Sequence, residues 1–502
     1  MKINLTIFRY LYKLRPVGAL LAALAIASCA PSRYAGPSVE LTYEVKGEPK
    51  PMRPAIDRIL DDSILTPAFM GIQIVTADSG EVLYERNERK LFHPASNMKL
   101  LTTAASLRFL GSWYKFATTV GTDGTIRDSI LDGNLIVRGC GDPLISSATL
   151  DSFATILASK GIRSISGDLV GDISAFDSLA WGEGWMWDDE PSTDAAFISP
   201  LTVNANSMDV HVAPGRKTGD RPRVSSDPAI DVFQIVNNAV TTNDTTLPEL
   251  VVDRRKGENV VTLTGRMSPY DGERSFSFSV CRPEFYFLRL LRESLQRHNI
   301  GVEGSLCIDS VRSTTLLFDF ENPIDSILHQ INKPSDNLAA ENLLKTLGAK
   351  MKGEPGSSAK GLASVREYLG LAGADTSLMI LSDGSGLSFY DAISPRSIIA
   401  LLLEQRRRGD TFPSFYESLP VAGVDGTLQN RMKGTAAQSN VHAKTGSLTG
   451  VSALSGYVTC ADGTMLAVSI LCNHFPFDIG TLRSKQNAIM ELLAGSRLAR
   501  HK

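Results

Sequence analysis

The stretch Pro94-Ala-Ser-Asn-Met-Lys-Leu-Leu-Thr-Thr-Ala-Ala-Ser-Leu-Arg-Phe-Leu110 decides how this chain is read. Leu100, Leu101, Ala104, Ala105 and Leu107 recur at helical spacing, so residues 96–110 read as a mostly buried helix. Ser96 stands in its first turn, and Lys99, three positions on, shares its face. The positive end of the helix dipole favours negative charge developing at Ser96. A helix cap followed by a surface lysine would look the same, so the pair takes its meaning from the rest of the chain.

Two short patterns occur downstream in order, Ser335-Asp-Asn337 and Lys444-Thr-Gly446. Each is weak alone. Ser-x-x-Lys also occurs at Ser112/Lys115 and Ser357/Lys360, and Lys-Thr-Gly also at Lys217. Ser112 follows Gly111 at the end of the helix, and Ser357 lies in a Gly-Glu-Pro-Gly turn. Lys217 lies in a charged turn ahead of the Ser-Asp-Asn element. Only Ser96, Ser335 and Lys444 give the ordered trio used for acyl transfer to serine.

The chemistry explains the residue types. A serine hydroxyl is a poor nucleophile until a base takes its proton. Lys99 is that base only when neutral, and burial or a second cation lowers a lysine pKa. Lys444 supplies the second cation and a partner for a substrate carboxylate. Ser335 relays the proton to the leaving group, and Asn337 offers its amide to Lys99 and to the substrate backbone. The strand carrying Lys444, Thr445, Gly446 and Ser447 pairs with an extended peptide, and Gly446 leaves room for that approach. Backbone N–H groups of Ser96 and Ser447 form the oxyanion hole, worth about 3 kcal/mol per donor. No metal or organic cofactor is needed.

Further segments accompany the trio: Gly139-Cys-Gly-Asp-Pro143, Gly184-Trp-Met-Trp-Asp188, Leu201-Thr-Val-Asn-Ala-Asn206, Asp383-Gly-Ser-Gly-Leu-Ser388 and Asp425-Gly-Thr-Leu428. With them, most of the mature chain resembles the low-molecular-mass class C penicillin-binding proteins, a family of serine-type D-alanyl-D-alanine carboxypeptidases/endopeptidases. The separation of Ser96 from Ser335 resembles that family's large insertion and far exceeds the spacing in β-lactamases. The resemblance implies an α/β transpeptidase fold of penicillin-binding/β-lactamase type, an antiparallel sheet flanked by helices, split around smaller domains. It implies removal of the terminal D-Ala from peptidoglycan stem peptides, cleavage of D-Ala–diaminopimelate cross-links, and acylation by β-lactams. Asp142, in Gly-Asp-Pro, is expected either to read the ammonium of a diaminopimelate side chain or to fix a turn before Pro143. Phe389 stands where the family commonly has a basic residue, which alters the rim. Glu341 reads as a helix-face group, His93 as a histidine with no partner motif, and residues 383–388 as a structural turn near the cleft.

Outward from these motifs, residues 71–84 read as a β-hairpin turning at Asp78-Ser-Gly80. Residues 337–349, 362–369, 395–406 and 481–493 read as helices, and residues 441–444, 452–459 and 465–472 as strands. Residues 111–317 show short β-like runs broken by Gly, Asp and Asn, with a helix at residues 285–297. The expected plan is a catalytic domain split between residues 55–110 and 318–502. A mainly-β region at residues 111–317, two small domains, is inserted between them.

At the N-terminus, Lys2, Arg9, Lys13 and Arg15 precede an apolar run over residues 17–27. That run is shorter than the roughly 20 residues a transmembrane helix needs, so residues 1–28 read as an export signal. Ile26-Ala-Ser-Cys29 resembles a bacterial lipoprotein cleavage box, with Cys29 as the lipidated residue. Ordinary cleavage after Ala30 or Ala35 is the alternative. Residues 29–54, rich in Pro, Ser and Gly, read as a tether, which places the enzyme in the bacterial periplasm on a lipid anchor. The other cysteines, Cys140, Cys281, Cys307, Cys460 and Cys472, form no C-x-x-C pair, which argues against zinc and leaves disulfides or free thiols.

Composition agrees with an exported globular enzyme. Of 502 residues, 51 are Lys or Arg and 54 Asp or Glu, a net charge of −3, and 43% are hydrophobic. Disorder and collagen-like repeats are excluded, and there is no basic footprint for nucleic acid. Two other functions compete. A scaffold that has lost turnover would show a degraded Lys99 or Lys444, and both are intact. A β-lactamase needs a second base, and no Glu-x-x-Leu-Asn loop is present.

Overall fold

A computed structural model describes residues 52–310 and 314–498. The export signal, Cys29 and the tether up to residue 51 lie outside the described residues. A helix, Met52–Leu60, already starts within the span expected as tether.

The domain shared by the two ends of the chain is built on a five-stranded antiparallel sheet. Its order is Val82–Arg86, Phe69–Thr76, Met465–Asn473, Val451–Thr459, His442–Leu448. The first two strands come from the front of the chain and the other three from its end, so the ends share one sheet. Strand periodicity then sorts the side chains onto two faces. Ala453, Tyr457, Ala467 and Leu471 point into one core, which holds the helices Met98–Leu110, Asn337–Lys352, Ser358–Leu371 and Pro395–Arg407. Leu454, Val458, Leu466, Val468 and Ile470 point into the other, closed by Met52–Leu60 and Ile479–Gly495.

The helix Met98–Leu110 lies inside the first core, with every residue from Met98 to Leu107 buried. Its hydroxyls are satisfied locally. Thr103 Oγ1 donates to the Lys99 carbonyl (2.6 Å) and Thr102 Oγ1 to the Gly384 carbonyl (2.7 Å). The helix ends at Gly111, whose φ of 83° suits glycine.

The inserted region departs from expectation in two ways. It carries a second long helix, Ser147–Ser159, behind a Ser146/Thr149 capping box, which packs on Pro283–Arg297. It also extends further than residue 317. The strand Thr315–Pro323 pairs antiparallel with Lys115–Thr122, so the chain enters and leaves the insert on neighbouring strands. Ile324 N–H then donates to the Tyr114 carbonyl (2.9 Å), and the helix Ile324–Asn332 begins there. Two groups of sheets, one over residues 115–172 and 301–323, the other over residues 207–279, share one hydrophobic cluster. The five cysteines of the described chain are free thiols.

Candidate active site

Three segments bring the trio together. Ser96 lies in a 3-10 turn, Ala95–Asn97, that leads directly into the helix Met98–Leu110. Ala95 just before it has a left-handed φ of 47°. Ser335 also has a left-handed φ, 75°, in the turn before the helix Asn337–Lys352, which Asp336 caps. Lys333, at the start of that turn, is tied to the Leu419 carbonyl (2.6 Å) and to Asp425 (2.7 Å). Lys444 projects from the edge strand His442–Leu448.

Lys99 Nζ has three oxygen neighbours: Asn337 Oδ1 at 2.5 Å, the Ser385 carbonyl at 2.7 Å and Ser96 Oγ at 3.2 Å. Lys444 Nζ donates to Ser335 Oγ at 2.8 Å and to the Thr445 carbonyl at 3.1 Å. Asn97 Nδ2 donates to the Lys444 carbonyl (3.0 Å), fastening the edge strand to the Ser96 turn. Both lysines are wholly buried. Burial pulls Lys99 down to about 8, against the opposing influence of Asp383, Asp336, Glu341 and Asp194. Burial and then the charge of Lys99 hold Lys444 well below the ordinary lysine range. Their partners Ser96, Ser335 and Asn337 line a cleft of about 420 Å³ together with Thr445, Gly446 and Ser447. The arrangement fits nucleophilic attack by a hydroxyl beside an amine poised to lose its proton.

A model of the D-Ala-D-Ala carboxypeptidase 3 (S13) family matches residues 52–495. The chain belongs to this family. It is 35% identical over 470 residues to a D-alanyl-D-alanine carboxypeptidase of Actinomadura sp. (strain R39), covering 90% of this chain and 86% of that one. A carboxypeptidase of Haemophilus influenzae is 28% identical over 81% of this chain and 85% of its own. The crystal structure of penicillin-binding protein 4 from Haemophilus influenzae aligns with a TM-score of 0.78 at 25% identity, covering 87% of this chain and 97% of that one. The protein is thus a serine-type D-Ala-D-Ala carboxypeptidase with the penicillin-binding/β-lactamase-like fold.

In this S13 carboxypeptidase Asp142 is not in the cleft. It is 1% exposed, and its carboxylate accepts from Leu144 N–H (2.9 Å) and Asn322 Nδ2 (2.8 Å), so it fixes a turn. Gly446 lines the cleft, and its bare backbone also serves a neighbour that was not expected. A Cβ there would lie 2.7 Å from the Pro94 carbonyl oxygen and 3.1 Å from Ala95 Cβ, so the glycine admits the Ser96 turn itself. Lys217 is exposed in a turn, and Ser357 caps the helix Ser358–Leu371.

The sequence reading missed three contributors. Arg483, on the last helix, donates to Ser447 Oγ at 3.0 Å and lines the cleft with Arg431. No short motif flags it. The insert reaches the site too, where the Asp194 carbonyl accepts from Asn337 Nδ2 (2.9 Å) and Trp185 Nε1 donates to Asp383 (2.9 Å). The third contributor is the Ser385 carbonyl, which no side-chain pattern can announce.

Proposed function

We propose that Ser96 is the nucleophile of this S13 carboxypeptidase and Lys99 its general base. The observation that carries the reading is the set of three neighbours around Lys99 Nζ. Asn337 Oδ1 and the Ser385 carbonyl only accept, so they take the two hydrogens of a neutral amine. The lone pair is left for the Ser96 hydroxyl at 3.2 Å, and the depressed pKa makes that neutral form accessible.

Ser96 Oγ attacks the carbonyl carbon of the penultimate D-Ala as Lys99 takes its proton. The oxyanion sits on the N–H groups of Ser96 and Ser447. The C–N bond breaks, and Ser335 passes a proton to the departing amino group. Ser335 Oγ already accepts from Lys444 and so presents its own proton to the cleft. Water then hydrolyses the serine ester.

Thr445, Ser447, Arg483 and Arg431 gather positive charge and donors at one end of the cleft. They hold the carboxylate next to the scissile bond, present both on a terminal D-Ala and on the diaminopimelate of a D-Ala cross-link. Both carboxypeptidase and endopeptidase action follow from that shared group, with peptidoglycan stem peptides as substrates. β-Lactams acylate Ser96 through the same geometry. One solved relative, 24% identical, is penicillin-binding protein 4 of Haemophilus influenzae complexed with a β-lactam. The enzyme works in the periplasm, held by a lipid on Cys29.

The test is intact-protein mass after mixing with benzylpenicillin, alongside D-Ala release from a peptide ending in D-Ala-D-Ala. A one-to-one adduct mapped to Ser96, absent with Ser96→Ala, is expected. Acylation of Ser96→Ala would reject Ser96 as nucleophile. Penicillin turnover with only a fleeting adduct would mark a β-lactamase.

A further inference from the structure

Asn337 and Glu341 lie one turn apart on the helix Asn337–Lys352 and face the same side. Asn337 touches Lys99 directly, whereas Glu341 acts one step behind. It is fully buried, and its Oε1 accepts from both the Gly384 and Ser385 N–H groups, each at 2.8 Å. The carbonyl of that same Ser385 takes Lys99 Nζ at 2.7 Å. The loop is held from its other side by Asp383, which accepts from Gly386 N–H (2.6 Å), Ser388 N–H (2.9 Å) and Ser385 Oγ (2.9 Å). Glu341 Oε2 has no hydrogen-bond partner despite its burial. A carboxyl left half-satisfied in the core is costly, and an apolar residue would fill the space without that cost.

We propose that Glu341 is a positioning residue for the general base, clamping the Gly384–Ser385 peptide so that the Ser385 carbonyl fixes Lys99, and setting the charge that Lys99 faces from behind. This rests on Lys99 being the base for Ser96.

The charges around the pair come from several elements. Lys99 is faced by Asp383, Asp336, Glu341 and Asp194, and lies close enough to Lys444 for the two to repel. Glu341 is faced by Asp383 and Lys99, and its charge is felt in turn at Asp391. Burial and then the charge of Asp383 push the Glu341 carboxyl up, while the Gly384 and Ser385 hydrogen bonds and the Lys99 charge draw it back down.

The experiment compares Glu341→Gln, Glu341→Ala and Lys99→Ala in the full chain. It reads the second-order rate of acylation by benzylpenicillin from pH 5 to 10, with thermal melting alongside. Glu341→Gln keeps an oxygen for the two N–H donors but cannot ionise. It should retain acylation to within roughly tenfold at low pH, where burial already keeps the native carboxyl protonated, while its profile levels off at a pH lower by roughly half a unit or more, because over the range where the native carboxyl ionises an anion beside Lys99 is gone. Glu341→Ala should lose on the order of 100-fold as the Ser385 carbonyl drifts. A Glu341→Gln profile that superimposes on the native one would overturn the charge role, even if the alanine variant fails to fold. Native-like rates in Glu341→Ala would overturn the clamp. If Lys99→Ala acylates normally, the base reading itself falls and the Glu341 role with it. If Lys99→Ala is dead while both Glu341 variants match the native chain, only the Glu341 role falls.

Discussion

Replacing Gly446 by alanine tests whether the close fit of the edge strand on the Ser96 turn sets the reaction geometry. The added Cβ would stand 2.7 Å from the Pro94 carbonyl oxygen, with the Cβ atoms of Ala95 and Ala453 both at 3.1 Å. Ordinary contact begins near 3.4 Å, so something must yield by about 0.7 Å. Pro94 and Ala95 immediately precede Ser96, and Ala453 is the cross-strand partner of Gly446 in the sheet. Any relief therefore moves either the nucleophile or the strand bearing Lys444, Thr445 and Ser447. A misplacement approaching 1 Å costs about 100-fold in rate, so acylation by benzylpenicillin should fall between about 10- and 100-fold. His442–Leu448 is an edge strand and can give way, so the stability cost should sit near the low end of the roughly 1–3 kcal/mol of overpacking. The assays are the second-order acylation rate and thermal unfolding. Gly370→Ala is the control, because its Cβ meets nothing within 4 Å near the end of the helix Ser358–Leu371. It should stabilise by up to about 1 kcal/mol and leave the rate alone. A Gly446→Ala protein that acylates within twofold of the native rate would refute the argument that this contact governs the site.

The remaining predictions are simpler. Acylation should climb about tenfold per pH unit below about 8 and level off above it, because burial lowers Lys99 and only its neutral form accepts a proton; a flat rate from pH 5 to 9 would contradict this. Arg483→Ala should raise KM roughly tenfold for peptides with a free terminal carboxylate, through loss of a charged hydrogen-bond donor. It should have little effect on C-terminally amidated peptides, and steady-state kinetics on matched pairs would show the difference. Lys217→Ala should be indistinguishable from the native enzyme in both assays. Ser357→Ala should cost about 1 kcal/mol through its lost helix cap, seen in denaturant unfolding, with acylation unchanged.

That Ser96, Lys99, Ser335, Asn337 and Lys444 come together was legible because the residue types are fixed by chemistry and their order by chain topology. Lys99 and Asn337 are 238 positions apart yet meet at 2.5 Å. No periodicity shows that, and the ordered trio does. Choosing Lys444 over Lys217 rests on a strand context against a charged turn, a difference that local composition records. The strands of the central sheet were legible for a related reason. The three inner ones, Phe69–Thr76, Val451–Thr459 and Met465–Asn473, are buried on both faces and so are rich in apolar residues along most of their length. The insert was harder. The helix Ser147–Ser159 does carry Leu150, Phe153, Ala154 and Leu157 at helical spacing, but its Ser and Thr content and the Gly- and Asp-broken runs around it mask the period. The strand Thr315–Pro323 alternates half-buried and exposed residues, a weak signal, so the insert's true end was displaced.

The features hidden from sequence belong to the backbone and to burial. The Ser385 carbonyl carries no residue-type signature, and the loop that aims it is wound on Asp383, which reads only as one letter of a turn. Glu341 sits at helical spacing from Asn337, but spacing gives a shared face without saying whether that face meets water or the base. A carboxylate in such a position is read as solvated by default. Only the packing of the Asp383 loop against the helix turns it into a buried acceptor behind Lys99. Asp142 shows the same limit in reverse. Gly-Asp-Pro is compatible with a recognition carboxylate and with a turn, and the choice rests on whether two local donors, Leu144 N–H and Asn322 Nδ2, reach it first. They do, and the residue of the insert that lines the cleft is Asp194, whose carbonyl holds Asn337, while the buried Trp185 holds the loop behind the base. Changes in the insert can therefore alter the chemistry as well as substrate choice, because its Asp194 and Trp185 restrain two of the three neighbours of Lys99, Asn337 directly and the Ser385 carbonyl through Asp383.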